Sequence, residues 1–192
     1  TSRAQIAPNI EHSTDMIRRA QGEGAEFVAL PEVVNICEMR PGRADDKVFP
    51  EATEPALRAY RDLAAELGIW ILAGSLVVKL IDDHRLANRS ILIDANGAIV
   101  AAYDKIHMFD VELGDGQHYR ESETYAPGRQ AVLAELPWGN LGMTICYDLR
   151  FAYLYRTLAH AGADFLALLD TLDHYWRIVE LPDMRRSAVE VG

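Results

Sequence analysis

Ile10, Met16, Ile17 and Ala20 recur at helical spacing, with Asn9 placed to cap that run and Gly22 and Gly24 placed to end it. Phe27-Val28-Ala29-Leu30 then reads as a short buried strand stopped at Pro31. Residues 39–50 are loop-like, with Pro41-Gly42 as a turn signal. Thr53 is placed to cap a second helix running to about Leu67, with Pro55 in its first turn and Gly68 after it. A β-rich stretch follows. Ile69 to Leu80 and Arg89 to Asp94 predict strands joined at Asp82-Asp83, and Asn96-Gly97 between Ile93 and Ile99 predicts a tight hairpin into a third strand ending near Tyr103. Residues 106–130 are polar and Gly-rich, long for a connection in a compact domain, and therefore a candidate functional segment. Ala131 to Leu136 and Leu141 to Cys146 predict two more strands around Pro137-Trp138-Gly139-Asn140. A helix over about 152–161 and a strand over 165–168 follow.

One internal echo sets the architecture. Gly24-Ala25-Glu26-Phe27-Val28-Ala29-Leu30 resembles Gly162-Ala163-Asp164-Phe165-Leu166-Ala167-Leu168, and each follows an amphipathic helix. Both are helix–glycine–buried strand units, as expected where helices cover a sheet. The hairpins between them require antiparallel pairings too, so the sheets are mixed. That disfavours a plain dinucleotide-binding fold or a (β/α)₈ barrel.

Composition narrows the classes of function. With 192 residues and 49% apolar content, the chain is expected to be a single ordered domain rather than a disordered one. Nineteen Lys and Arg against 29 Asp and Glu give a net charge of −10, the wrong balance for a phosphate-backbone binder, so no nucleic-acid partner is expected. No apolar run approaches the ~18 residues that would span a bilayer, so no membrane partner is expected either. Two cysteines, Cys37 and Cys146, allow at most one bridge, and the simpler reading is two free thiols of a reducing compartment, with an expected cytoplasmic localisation. The six histidines lack metal-ligand spacing and there is no C-x-x-C, so neither metal nor cofactor is expected. Gly114-Asp115-Gly116 is too short for a nucleotide loop and reads as a flexible entrance loop.

Three polar residues stand where strands end, the place where α/β folds build sites. Glu32 follows Leu30-Pro31, Lys105 follows the strand ending at Tyr103, and Cys146 ends a strand ahead of a turn and helix. A thiol there can feel the positive end of the helix, which favours thiolate. Taken singly each has an ordinary reading: free cysteine is among the most buried residue types, and a lone Glu or Lys after a strand is usually a solvated rim residue. Taken together their chemistry is complementary, because acyl transfer through a thiol needs a nucleophile, a base and a cation or donors facing the oxyanion. Asp148 and Arg150 read as an ion pair holding the nucleophile turn, and Cys37 as a packed thiol.

Ala29-Leu30-Pro31-Glu32, Tyr103-Asp104-Lys105-Ile106-His107 and Cys146-Tyr147-Asp148-Leu149-Arg150-Phe151 occur in that order. Together they resemble the three catalytic segments of the nitrilase (carbon–nitrogen hydrolase) superfamily. Lys105 to Gly128 most resembles the branch containing ω-amidase and deaminated-glutathione amidase. The resemblance implies an α-β-β-α four-layer sandwich with two mixed sheets, and a homodimer or higher homo-oligomer. It implies Cys146 as nucleophile, Glu32 as general base and then acid, and Lys105 with the Tyr147 backbone N–H as oxyanion donors. Glu121 would orient the lysine and substrate, and His107 would pack or hydrogen-bond. The implied reaction is hydrolysis of a small primary amide of a carboxylated metabolite through a thioester. An N-carbamoyl amino-acid hydrolase and a nitrilase share the same residues, and a non-catalytic scaffold or inactive truncated fragment is the rival from another class. The match runs from about Ala4 to Leu168. Leu169 to Trp176 departs from the family pattern, while Arg185 to Gly192 resembles a family helix. Residues 1–192 therefore read as one incomplete domain, lacking the family's first strand and its last portion.

Overall fold

The computed structural model describes residues 4–38, 47–112, 118–169 and the backbone of 177–180. The elements run α1 (Ile6–Gly22), β1 (Phe27–Ala29), α2 (Pro55–Leu67), β2 (Trp70–Lys79), β3 (Leu86–Ile93), β4 (Ile99–Asp104), β5 (Asp110–Glu112), β6 (His118–Arg120), α3 (Glu121–Thr124), β7 (Val132–Leu136), β8 (Gly139–Ile145), α4 (Ala152–His160), β9 (Phe165–Leu169) and β10 (Arg177–Glu180). Short 3₁₀ turns occupy Glu51–Thr53 and Cys146–Arg150.

Two four-stranded sheets form, in the orders β1-β2-β3-β4 and β10-β9-β8-β7, with a small β5-β6 ribbon beside them. Both large sheets are mixed. β1 pairs parallel with β2 and β9 parallel with β8, while the other pairings in each sheet are antiparallel. The two parallel strands are those of the internal echo, and Gly24 and Gly162 precede them at φ +96° and +97°.

Period-two alternation along β2 and β3 assigns the layers. Ile71, Ala73, Ile91 and Ile93 meet Ile17 of α1 and Leu57, Tyr60 and Leu63 of α2 in one core. Leu72, Leu92 and Tyr103 face Leu141, Met143, Ile145 and Ala167 of the second sheet in another. Leu154 and Leu158 of α4 cover Leu166 on the outer face. Helices, sheet, sheet and helix thus stack as the expected α-β-β-α sandwich.

Two helix starts differ from expectation. Asn9 is buried inside α1 and donates to the Asn35 carbonyl at 2.9 Å, so an inward polar residue had the look of a cap. α2 is capped by Glu54, not Thr53: the Glu54 carboxylate accepts from Leu57 N at 2.6 Å and from Asn35 Nδ2 at 3.1 Å. Both deviations serve one end. Asn35 also exchanges hydrogen bonds with the Val77 backbone, so α1, α2 and β2 together pin the segment after β1.

That segment crosses β2 very closely. Val34 N donates to Ser75 O, Ser75 N to Pro31 O and Val33 N to Ser75 Oγ, at 2.9, 3.2 and 2.8 Å, where the β2–β3 register shifts between Ala73 and Leu76. A side chain at Gly74 would put Cβ 1.6 Å from the Leu30 carbonyl oxygen. Gly74→Ala is expected to cost about 4 kcal/mol or more, since backbone must move on both sides. Gly22→Ala meets nothing within 4 Å and is expected to leave thermal stability near that of the parent. Parallel thermal melts check the pair.

Pro41-Gly42, the Gly114–Gly116 loop, residues 170–176 and the Arg185 to Gly192 segment lie outside the described residues.

Candidate active site

The strand ends bring three of the expected side chains into one hydrogen-bonded group. Lys105, just beyond β4, is 2% exposed. Its Nζ donates to Glu32 Oε1 at 3.2 Å and to both oxygens of Glu121, at 2.8 and 3.0 Å. Glu121 opens α3 and is itself fixed by Phe109 N, which donates to Oε2 at 2.6 Å. Glu32 is 5% exposed, and Asn88 Nδ2 donates to its Oε1 at 2.8 Å. Burial raises the Glu32 carboxyl above the usual carboxylate range, opposed by Lys105 and by the hydrogen bond from Asn88. Burial alone would lower the Lys105 ammonium. The negative charges of Glu32, Glu121 and a Cys146 thiolate outweigh it and hold the lysine above its ordinary range.

Cys146 stands where β8 ends and a five-residue 3₁₀ turn begins, with φ +46°. A positive φ at a non-glycine residue is strained, of order 1–3 kcal/mol. Among the described residues the other such residue is Val33, next to Glu32. Strain therefore concentrates on the two turns that carry the candidate base and nucleophile. The expected α-helix begins only at Ala152, so the positive charge acting on the thiol is that of Lys105 rather than a long helix dipole. Neither described cysteine forms a disulfide.

Asp148 does not pair with Arg150, which is exposed. The buried Asp148 carboxylate accepts instead from Tyr103 Oη at 2.7 Å, Ile145 N at 2.9 Å, His107 N at 3.1 Å and lies 2.7 Å from His107 Nδ1. Tyr103 and His107 flank Lys105, and Ile145 precedes Cys146. One carboxylate thus ties the lysine segment to the nucleophile turn. His107 stacks on Phe151 with ring centroids 3.6 Å apart, a packing and hydrogen-bonding role as expected. Tyr147 sits edge-on to Phe109 and Phe151, at 5.0 and 5.5 Å.

Two residues near the group escaped the sequence reading. Asn88 is a polar residue at an inward position of β3, a strand interior that disfavours Asn. That mismatch is the signal that marks it. Tyr125 follows α3; burial and the charges of Glu121, Glu32 and Cys37 keep its phenol protonated above the usual tyrosine range. Cys37 is likewise pushed up, by burial and by Glu32 and Glu38.

A cavity of about 440 Å³ lined by Asp83, Arg85, Asp104, Arg129 and apolar neighbours contains none of Glu32, Lys105, Glu121 or Cys146. Arg85 pairs there with Asp83, and Asp104 with Arg89. Among the described residues, no group of three or more His, Cys, Asp or Glu is placed to hold a metal ion, and no helix is long and apolar enough to cross a membrane.

The site can be compared with known proteins. A deaminated glutathione amidase of Yersinia enterocolitica is 41% identical over 143 residues, which cover 71% of this chain and 49% of that protein. Human omega-amidase NIT2 is 30% identical over 181 residues, covering 90% and 63%. The crystal structure of the C. elegans NitFhit protein superposes with a TM-score of 0.81 at 31% identity, covering 88% of this chain and 42% of that one. The chain therefore spans about half the length of the first relative and less than two thirds of the others. The carbon-nitrogen hydrolase family model matches residues 1–189. The chain belongs to the carbon–nitrogen hydrolase family.

Proposed function

We propose that this protein is a cysteine-dependent amidase that releases ammonia from a small primary amide carrying a carboxylate. The observation that carries the reading is the buried Lys105 ammonium held between Glu32 and Glu121, within electrostatic range of Cys146. Glu32 takes the thiol proton as Cys146 sulfur bonds to the amide carbon. Lys105 and the Tyr147 backbone N–H stabilise the oxyanion. The tetrahedral adduct collapses, the C–N bond breaks, and Glu32 returns its proton to the leaving ammonia. Water, deprotonated by Glu32, then cleaves the thioester to the free acid. Burial suits Glu32 to both roles, because a carboxyl raised toward neutral pH accepts and gives back a proton more readily. Glu121 holds Lys105 in place, as its bidentate contact supports.

The amidase names of the relatives favour this substrate class. No metal or cofactor enters the scheme. The reading takes residues 1–192 as one domain that is incomplete relative to those relatives, working in the cytoplasm as a homo-oligomer.

The test is a panel of carboxylated primary amides, N-carbamoyl amino acids and nitriles, with ammonia and CO₂ followed together. Ammonia without CO₂ from the amides is expected. Ammonia with CO₂ from the carbamoyl compounds would move the reading to a carbamoyl hydrolase, nitrile turnover to a nitrilase, and silence across the panel to a non-catalytic scaffold.

A further inference from the structure

We propose that Asn88 is a positioning residue that holds Glu32 as an ionised base against Lys105 beside Cys146. The inference rests on the amidase reading for its consequence, but not for its geometry.

Asn88 lies on β3 and is 2% exposed. Its Nδ2 donates to Glu32 Oε1 at 2.8 Å, the same oxygen that receives Lys105 Nζ at 3.2 Å. Its backbone carbonyl accepts from Lys105 N at 3.0 Å. One residue therefore registers the carboxylate of the base against the backbone of the lysine. The opposite strand repeats the arrangement: Asn88 pairs with Val77, whose backbone binds the Asn35 side chain three residues beyond Glu32.

Among the described residues, Asn88 Oδ1 has no hydrogen-bond partner, although it is buried. A residue serving the strand alone would gain nothing from a buried, unsatisfied acceptor, and valine or alanine, common around it, would avoid the penalty. The amide is tolerated because its other end is used. With the amide reversed, two oxygens would face each other at 2.8 Å, unless Glu32 carried a proton. A donor in this position stabilises the carboxylate of Glu32 relative to the acid.

The groups around Glu32 show why a neutral donor matters. Lys105 opposes Glu121, Cys37 and the Tyr125 phenol, all within electrostatic range of it, and Cys146 draws on the same lysine. Burial and the negative neighbours favour protonated Glu32; the N–H of Asn88 joins Lys105 on the other side.

The experiment follows Glu32 directly, by ¹³C NMR of carboxyl-labelled glutamate in the full chain, with the resonance assigned through Glu32→Gln. Asn88→Asp keeps the size and replaces the donor by an oxygen; Asn88→Ala removes the donor without adding charge and decides the matter if the first variant does not fold. The Glu32 midpoint is expected to rise by one unit or more in Asn88→Asp and by less in Asn88→Ala. The acid limb of kcat/KM should move with it, about a tenfold loss on that limb for one unit. Ser90→Ala, which deletes the neighbouring buried and unpartnered hydroxyl on the same strand, should leave the midpoint in place. A fall in thermal stability with an unmoved Glu32 midpoint would make Asn88 merely structural and overturn the proposal. Absence of turnover in the parent would overturn the amidase reading instead, and the NMR titration would still decide Asn88.

Discussion

Cys146→Ala is expected to lower amide turnover by about 10⁴-fold or more and to remove the one fast-alkylating thiol. The loss should be chemical and not structural. Alanine keeps Cβ, so the strained φ of +46° is unchanged, and Cys146 packs only at the margin of the core between the sheets. No neighbour can substitute. The Tyr125 phenol is held protonated, and the Cys37 thiol is pushed up by burial beside Glu32 and Glu38. Lys105 favours a thiolate at Cys146. Ammonia release should therefore vanish, while thermal stability stays within about 1 kcal/mol of the parent. Mass spectrometry of the iodoacetamide-treated parent should find Cys146 alkylated well before Cys37. Equal, slow alkylation of both thiols, or turnover retained in the variant, would sink the assignment.

The strands and their mixed pairing are legible because they rest on local signals, whereas the four layers follow from the family resemblance. Asn96-Gly97 announced the β3–β4 hairpin, and the repeat ending in Leu30 and Leu168 announced the two parallel strands. Elements fixed by tertiary contact were not. Asn9 looked like a cap because it is polar at the edge of an apolar run, whereas its reason for being there is Asn35, 26 residues away. Glu54 displaced Thr53 as cap because its carboxylate also satisfies Asn35. In the site, strand ends and complementary chemistry singled out Glu32, Lys105 and Cys146, and the structure joins Glu32, Lys105 and Glu121 directly. The partner of Asp148 could not be read from spacing. Arg150 lies two residues away but faces solvent, and Tyr103 and His107 reach Asp148 from 45 and 41 residues off. Asn88 was hidden for the same reason: its partner Glu32 is 56 residues away.

Lys105→Met tests the electrostatic core of the site twice over. Methionine nearly matches the lysine stem in length but carries no charge, so Glu32 and Glu121, both largely buried, would face each other without a cation. Turnover should fall by about 10³-fold, the scale of losing a principal oxyanion donor. Stability should change in a pH-dependent way whose sign is fixed. Glu32 already sits above the usual carboxylate range through burial, and losing Lys105 removes the largest influence holding it down. A carboxyl raised in the native state binds its proton more tightly folded than unfolded, so stability falls as pH rises from the unfolded value, about 4.3, through the folded one. In the parent, the raised lysine titrates in the same direction but at much higher pH. Its stabilisation is complete below the ordinary lysine pKa and is lost only as pH climbs through the still higher folded value. Between pH 5 and 8 the lysine stays charged in the parent and offsets the ionisation of Glu32, while in the variant the same ionisation, without its cation, costs more. Thermal melts should place Lys105→Met nearest the parent at pH 5 and progressively further below it toward pH 8. A Tm difference constant across that range would mean that the two carboxylates do not depend on Lys105, and the site's charge arrangement would have to be drawn differently.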